Sequence, residues 1–204
     1  SNRYDLQEYL FNNPLDLIPD DLINLTLSLI IRAFNNIDQI DGSINMNVWL
    51  RYNWNSDIKW NSSNFNEISR INLNTNPDAE HFIWTPDIYL YNTAEKPMNE
   101  LDYTKANVYN DGTIFWSRPG LIKSTCIFNL TYFPFDQQTC KLKFGSWAND
   151  ITDIYINEAQ NNSIDISNYQ EHEEWNLVDL YTIKNSVIYS CCKNPYHDLE
   201  FYYT

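Results

Sequence analysis

Apolar and polar residues alternate at a period of two through much of the chain. Ile44, Met46, Val48 and Leu50 share one face of a segment running from Ile44 to Tyr52, and Asn45, Asn47, Trp49 and Arg51 share the other. Strict alternation of this kind marks a strand with one side on a core. Leu25, Leu27, Leu29 and Ile31 alternate with Thr26, Ser28, Ile30 and Arg32. Ile88 and Leu90 fit a core face within Asp87–Tyr91, which leaves Tyr89 and Tyr91 opposite. Cys140, Leu142 and Phe144 do the same against Lys141 and Lys143, and a continuing strand puts Trp147 on the lysine side. Thr113, Phe115 and Ser117 share a face, and Ser186–Tyr189 and Asp198–Tyr203 are rich in strand formers. Asp41-Gly42 and Asn110-Asp111-Gly112 are hairpin turns.

Helical character is confined to the start. Asn2 to Phe11 reads as a short helix, capped by Ser1 or Asn2 and stopped by Asn12-Asn13-Pro14. Tyr4, Leu6, Tyr9 and Leu10 give it a partial apolar face. No repeat, linker or second composition regime interrupts the pattern. The expectation is a single domain over residues 1–204, all-β. It is an immunoglobulin-like β-sandwich of about ten strands with a short N-terminal α-helix.

Parity places Trp49, Tyr91 and Trp147 off the core face. A large ring on the polar side of a strand meets a partner or ligand, unless a neighbouring loop covers it. Net charge adds to this picture. At −14 the chain is a poor binder of nucleic acid, which needs basic surface. An acidic surface with 15 Tyr, 10 Phe and 7 Trp suits small cations. Enzyme chemistry finds no support: His81, His172 and His197 lack metal spacing, and no nucleophile elbow or phosphate loop is present. No metal or other cofactor is expected. The acidic run Glu171-His172-Glu173-Glu174 reads as a solvated loop, with calcium binding the alternative.

The cysteines are Cys126, Cys140, Cys191 and Cys192, and an even count of four allows three pairings. The local pairing fits two hairpin-like loops. Adjacent cysteines fall short of the usual disulfide Cα separation, so a Cys191–Cys192 bridge distorts the peptide between them. The alternative there is two free thiols in a loop whose tip is Lys193-Asn194-Pro195. Sequons at Asn24, Asn61, Asn129 and Asn161 are candidate glycosylation sites and, with disulfides, favour an extracellular setting. No signal-peptide pattern or apolar run of transmembrane length is present, so the chain reads as a mature or trimmed soluble piece.

Between Cys126 and Cys140 lie 13 residues centred on Phe133-Pro134-Phe135-Asp136 and followed by Lys141-Leu142-Lys143-Phe144-Gly145-Ser146-Trp147. This resembles the signature loop of the Cys-loop pentameric ligand-gated ion channels. Trp84-Thr85-Pro86-Asp87 with Leu90-Tyr91-Asn92, then Gly145-Ser146-Trp147, then Tyr189, the Cys pair and Tyr196 resemble the three principal ligand-binding loops of nicotinic acetylcholine receptor alpha subunits. Val48-Trp49-Leu50 with Trp54 and Trp60 resembles the strand presented by the neighbouring subunit. The resemblance covers nearly the whole chain.

It implies disulfides Cys126–Cys140 and Cys191–Cys192, the second as a lid. It implies a cage of Tyr91, Trp147, Tyr189 and Tyr196 around acetylcholine or a nicotine-like cation. The complementary face, from an identical or homologous subunit of a pentameric ring, is Trp49, with Arg51, Asn107, Phe115 and Ser117 at variable positions. Arg51 bears a charge that could repel a cationic ligand. Lys143, Tyr189 and Asp198 match positions that rearrange on lid closure. Phe133, Pro134 and Phe135 match the tip that docks on a membrane domain at the cell surface. The Phe133–Pro134 bond is open to the cis form. A soluble, secreted acetylcholine-binding protein and a receptor for another amine such as serotonin are the alternatives; the apolar tip favours a channel subunit.

Overall fold

The structure, a computed structural model, describes residues 3–12, 19, 21–95, 101–160 and 163–204. It is mostly strand, in two sheets, with one short helix. The helix, α1 (Arg3–Phe11), buries Leu6 and Leu10. These lie four residues apart on one face. Tyr4 and Tyr9, expected beside them, face outward, and Tyr9 tilts onto Phe65. The expected cap at Ser1 or Asn2, and Asn13 and Pro14 of the expected stop, lie outside the described residues.

The strands are β1 (Ile23–Asp38), β2 (Ser43–Asn55), β3 (Arg70–Leu73), β4 (Ile88–Leu90), β5 (Ala106–Tyr109), β6 (Thr113–Thr125), β7 (Cys140–Ser146), β8 (Ile154–Glu158), β9 (Ile164–Asp165), β10 (Leu180–Val187) and β11 (Tyr196–Tyr203). One sheet has the order β3-β5-β6-β2-β1-β8, with β9 also beside β1. The other has the order β10-β11-β7-β4. The expected turns are present, and Gly42 and Gly112 take positive φ there, at 67° and 94°. A side chain at residue 112 would also meet the Ser56 carbonyl.

The parity reading holds in β2, β4 and β7. Ile44, Met46, Val48, Leu50, Ile88, Leu90, Cys140, Leu142 and Phe144 are all buried. They face Leu199 and Phe201 of β11 and Leu25, Leu27 and Leu29 of β1 in one apolar cluster. Each such side chain contributes about 1.5–3 kcal/mol by leaving water. Trp54 and Trp60 belong to this cluster and not to the exposed face. Ile30 is buried despite its polar-side parity, because β9 pairs alongside it.

Two boundaries differ from the sequence reading. β10 begins at Leu180 and ends at Val187, so Tyr189 sits in the hairpin loop beyond it. Alternation of Tyr181 and Ile183 with Thr182 and Lys184 puts apolar residues at exposed positions, which hides the strand from a core-based reading. β1 runs on to Asp38 across Asn35 and Asn36, with register shifts between Ile31 and Ala33 and between Phe34 and Asn36. Such bulges absorb an extra residue without ending a strand.

Candidate functional site

Three segments of the four-stranded sheet converge at one end. β4 leads into Tyr91, β7 leads into Trp147, and the β10–β11 hairpin carries Tyr189, the Cys pair and Tyr196. β4 and β7 pair through Leu90 and Phe144, which sets Tyr91 beside Lys143, whose carbonyl accepts from the Tyr91 amide at 2.8 Å. The Tyr91 and Trp147 rings meet edge-to-face, 6.3 Å apart at 89°. Tyr89 approaches Trp147 from the same strand, at 6.5 Å and 71°. Tyr189 and Tyr196 form a second edge-to-face pair at 5.9 Å. Trp147 is 64% exposed and Tyr189 36%, so these faces are open for further contact.

The support beneath them is specific. The Tyr91 hydroxyl donates to the Ser146 carbonyl at 2.5 Å. Burial, reinforced by Tyr189 and the nearby carboxylates, pushes that phenol above its usual range, so it stays a neutral donor. Gly145 makes the approach of Tyr91 feasible: a Cβ there would lie 2.8 Å from the tyrosine oxygen. Asp87 fixes the tryptophan loop. Its carboxylate accepts from Ser146 Oγ at 2.6 Å, the Trp147 amide at 3.1 Å, the Ala148 amide at 2.7 Å and Asn149 Nδ2 at 2.6 Å. Asp87 stood in a quoted motif but was not singled out, because nothing in the sequence reveals four donors converging on it.

The hairpin is tethered to the same loop. Asn194 Nδ2 donates to Asp150 at 2.9 Å, and the Ile151 amide donates to the Pro195 carbonyl. Cys191 and Cys192 are bonded to each other with Cα atoms 3.8 Å apart. The Cys192 amide donates to the Tyr189 carbonyl at 3.0 Å, which closes the turn carrying both.

Below the rings lies a charged group. Lys143 Nζ is 3.1 Å from Asp198 Oδ2, 3.8 Å from Glu200 Oε1 and 5.8 Å from the Tyr91 ring centroid. Asp198 is 1% exposed, so this is not a surface pair. Its Oδ1 accepts from Asn185 Nδ2 at 2.8 Å. Its Oδ2 has charge proximity to Lys143 without hydrogen-bond alignment. The contact is an electrostatic one, which tolerates movement better than an aligned bond. Lys141 bonds Glu200 at 2.6 Å and continues the chain down the sheet.

The residues expected on the complementary face lie on the other sheet. Arg51 pairs across from Ser117, and Asn107 across from Phe115. With Trp49 these residues are half-buried and share the outer face of β2, β5 and β6. Two features were not legible in advance. Arg51 contacts Asp165 of β9 at 3.7 Å, so its charge is partly offset. Arg32 lies over the Trp49 ring, 4.9 Å from its centroid. The principal and complementary sets thus occupy different sheets.

At the opposite end, Cys126 and Cys140 are bonded, 14 residues apart. Their loop carries Ile127, Tyr132, Phe133 and Phe135 at 97%, 73%, 66% and 91% exposure. The Phe133–Pro134 bond is cis. Asn24, Asn61 and Asn129 are exposed, and Asn161 lies outside the described residues. Among the described residues no cluster of three or more acidic, histidine or cysteine side chains could hold a metal, and no helix is long and apolar enough to cross a membrane.

The chain matches the neurotransmitter-gated ion-channel ligand binding domain family over residues 6–204. It is 34% identical over 184 residues to the neuronal acetylcholine receptor subunit alpha-2 of Gallus gallus, covering 90% of this chain and 34% of that one. It is 31% identical over 183 residues to subunit alpha-9 of Gallus gallus, covering 89% and 37%. It is 32% identical over 192 residues to subunit alpha-6 of Mus musculus, covering 94% and 37%. The chain therefore spans about a third of the length of these relatives.

Proposed function

Because the chain belongs to the neurotransmitter-gated ion-channel ligand binding domain family, we propose that it binds acetylcholine or a nicotine-like cation between adjacent subunits of a pentameric ring. It is a receptor domain and not an enzyme. What supports the reading is two edge-to-face ring pairs, Tyr91 with Trp147 and Tyr189 with Tyr196, the second on the hairpin that carries the Cys191–Cys192 bridge. A quaternary ammonium has no N–H to donate. Electron-rich ring faces attract it, at about 0.5–2 kcal/mol per good contact.

Two half-sites on different sheets suit a ring, in which each interface joins one face of a subunit to the other face of the next. Trp49, with Arg51, Asn107, Phe115 and Ser117 around it, closes the cage from the neighbour. Binding draws the hairpin inward, and Asp198, paired with Lys143 without an aligned hydrogen bond, is the group that re-pairs. The exposed rings at Phe133 and Phe135 dock on a membrane domain and pass the closure on, which places the domain on the outer side of the cell membrane. Residues 1–204 form this one domain.

Titration with nicotine and carbamylcholine, followed by tryptophan fluorescence, tests the reading. Trp147, 64% exposed, is the reporter. A saturable change in the wild type that is lost in Trp147→Ala is expected. A wild type indifferent to both compounds overturns it.

A further inference from the structure

Asp87 holds Trp147 by its backbone amide, and the indole itself is exposed. Among the described residues its ring contacts are with two phenols of one chain segment, Tyr91 at 6.3 Å and 89° and Tyr89 at 6.5 Å and 71°. Tyr91 is also engaged elsewhere: its hydroxyl donates to the Ser146 carbonyl, and Lys143 lies near its ring. Tyr89 has one aromatic partner among the described residues, and that is Trp147. It is half-buried, between Ile88 and Leu90, which are rooted in the core. Strand order sets Tyr89 and the hairpin on opposite flanks of β7. Gly145 pairs with Tyr89 of β4 on one side and with Asp198 of β11 on the other. β11 begins at Tyr196, two residues before Asp198, where it leaves the hairpin. Tyr89 therefore stands behind Trp147, and the hairpin stands in front of it.

We propose that Tyr89 is a positioning residue that acts through Trp147: it backs the indole against the push of the closing hairpin and so sets how bulky a cationic head the cage accepts. The proposal rests on the function proposed above, in which the head lies between Trp147 and the hairpin rings. Backbone bonds to Asp87 fix where the tryptophan is attached and leave its side-chain torsions free to choose a rotamer. Two phenols against one indole remove that freedom, because edge-to-face pairs prefer a defined geometry. Backed in this way, the indole does not retreat across the sheet when a ligand presses on it. A compact head is then gripped from both flanks once the hairpin closes. A bulkier head finds no room behind the indole and holds the hairpin open instead. The ligand class is an amine with a compact quaternary head, and Tyr89 is the residue that enforces the compactness.

Tetramethylammonium and tetraethylammonium carry the same charge and differ in bulk. Their affinities are measured by tryptophan fluorescence in wild type, Tyr89→Phe and Tyr89→Leu, with carbamylcholine as the reference ligand. Thermal unfolding checks that each variant is folded, and Tyr89→Val, suited to an edge strand, takes the place of Tyr89→Leu should that variant not fold. The wild type is expected to favour tetramethylammonium. Tyr89→Leu is expected to weaken tetramethylammonium about two- to tenfold, the size of one edge-to-face contact, and to weaken tetraethylammonium less or not at all. Tyr89→Phe, which keeps the ring, is expected to keep the wild-type ratio. A ratio unmoved in Tyr89→Leu, as a merely structural loss leaves it, or moved as far in Tyr89→Phe, overturns the proposal alone where the wild type still binds carbamylcholine. A wild type indifferent to carbamylcholine overturns the agonist reading, and the proposal with it.

Discussion

Asp87→Asn is the sharpest single perturbation of the tryptophan loop. The carboxylate accepts two side-chain and two backbone donors, all between 2.6 and 3.1 Å. Hydrogen bonds to a charged group contribute about 1.5–3 kcal/mol each, against about 1 for neutral pairs. An amide can turn its oxygen towards the Trp147 and Ala148 amides, but its nitrogen then faces Asn149 Nδ2, donor against donor. The opposite orientation sets the nitrogen against both backbone donors. Either way the variant loses charge assistance at two to four bonds, for a net cost of about 2–4 kcal/mol. In a domain of this size each kcal/mol shifts the midpoint by about 2–4 °C. The expected result is a thermal midpoint lower by about 4–16 °C, on the same arithmetic. Trp147 fluorescence is expected to move towards that of a free indole, and carbamylcholine binding to weaken at least tenfold. An unchanged midpoint, with unchanged emission and affinity, refutes the assignment of Asp87 as the clamp of this loop.

Four further outcomes are expected. Gly145→Ala forces the Tyr91 ring away from a Cβ 2.8 Å from its oxygen, costing about 1–3 kcal/mol of stability and weakening agonist binding, as read by thermal unfolding and titration. Lys143→Gln strips the cation from buried Asp198 and costs about 3–5 kcal/mol, less where Asn185 and Glu200 readjust, as read in denaturant; a loss below about 0.5 kcal/mol contradicts the pair. Acidification lowers stability through His197, whose pKa is depressed by burial and then by Lys184. The folded state disfavours its proton, so its contribution is full above about pH 6.5 and is lost as pH falls from there towards the folded pKa, and His197→Phe should flatten the midpoint over that window. Phe135→Ser, at a 91% exposed tip, should leave the midpoint of this chain within about 0.5 kcal/mol of wild type and reduce self-association measured by light scattering.

The sequence made legible what depends on local alternation and chain-local chemistry. Trp49, Tyr91 and Trp147 were placed off the core by parity, and the structure leaves each half-buried or exposed. The two turns at Gly42 and Gly112 follow from residues that tolerate positive φ. What stayed hidden depends on register or on long-range convergence. Arg32 shares its face of β1 with Ile30, which pairs with Trp49, but alternation alone does not show that its guanidinium lies over that ring. Asp165 reaches Arg51 because β9 runs parallel to β1, a pairing of distant segments that alternation cannot forecast. The start of β10 was missed because its exposed face carries Tyr181 and Ile183, which imitate a core pattern on the wrong side.

One physical feature links the half-sites to each other. On the principal face Tyr91 pairs edge-to-face with Trp147 and Tyr189 with Tyr196, and Lys143 lies 5.8 Å from the Tyr91 centroid while engaged with Asp198 and Glu200. On the complementary face the indole is already covered by Arg32. On the proposed interface reading, a cationic ligand would meet uncovered rings on one sheet and an indole already facing Arg32 on the other. On that reading its charge would favour the principal side, which the hairpin carrying Tyr189 and Tyr196 borders. The asymmetry would give such a ligand an orientation across the proposed interface. Lys143, between Asp198 and the Tyr91 ring, is the charge that a cation arriving there would repel, and its contact with Asp198 is the one such an arrival would weaken.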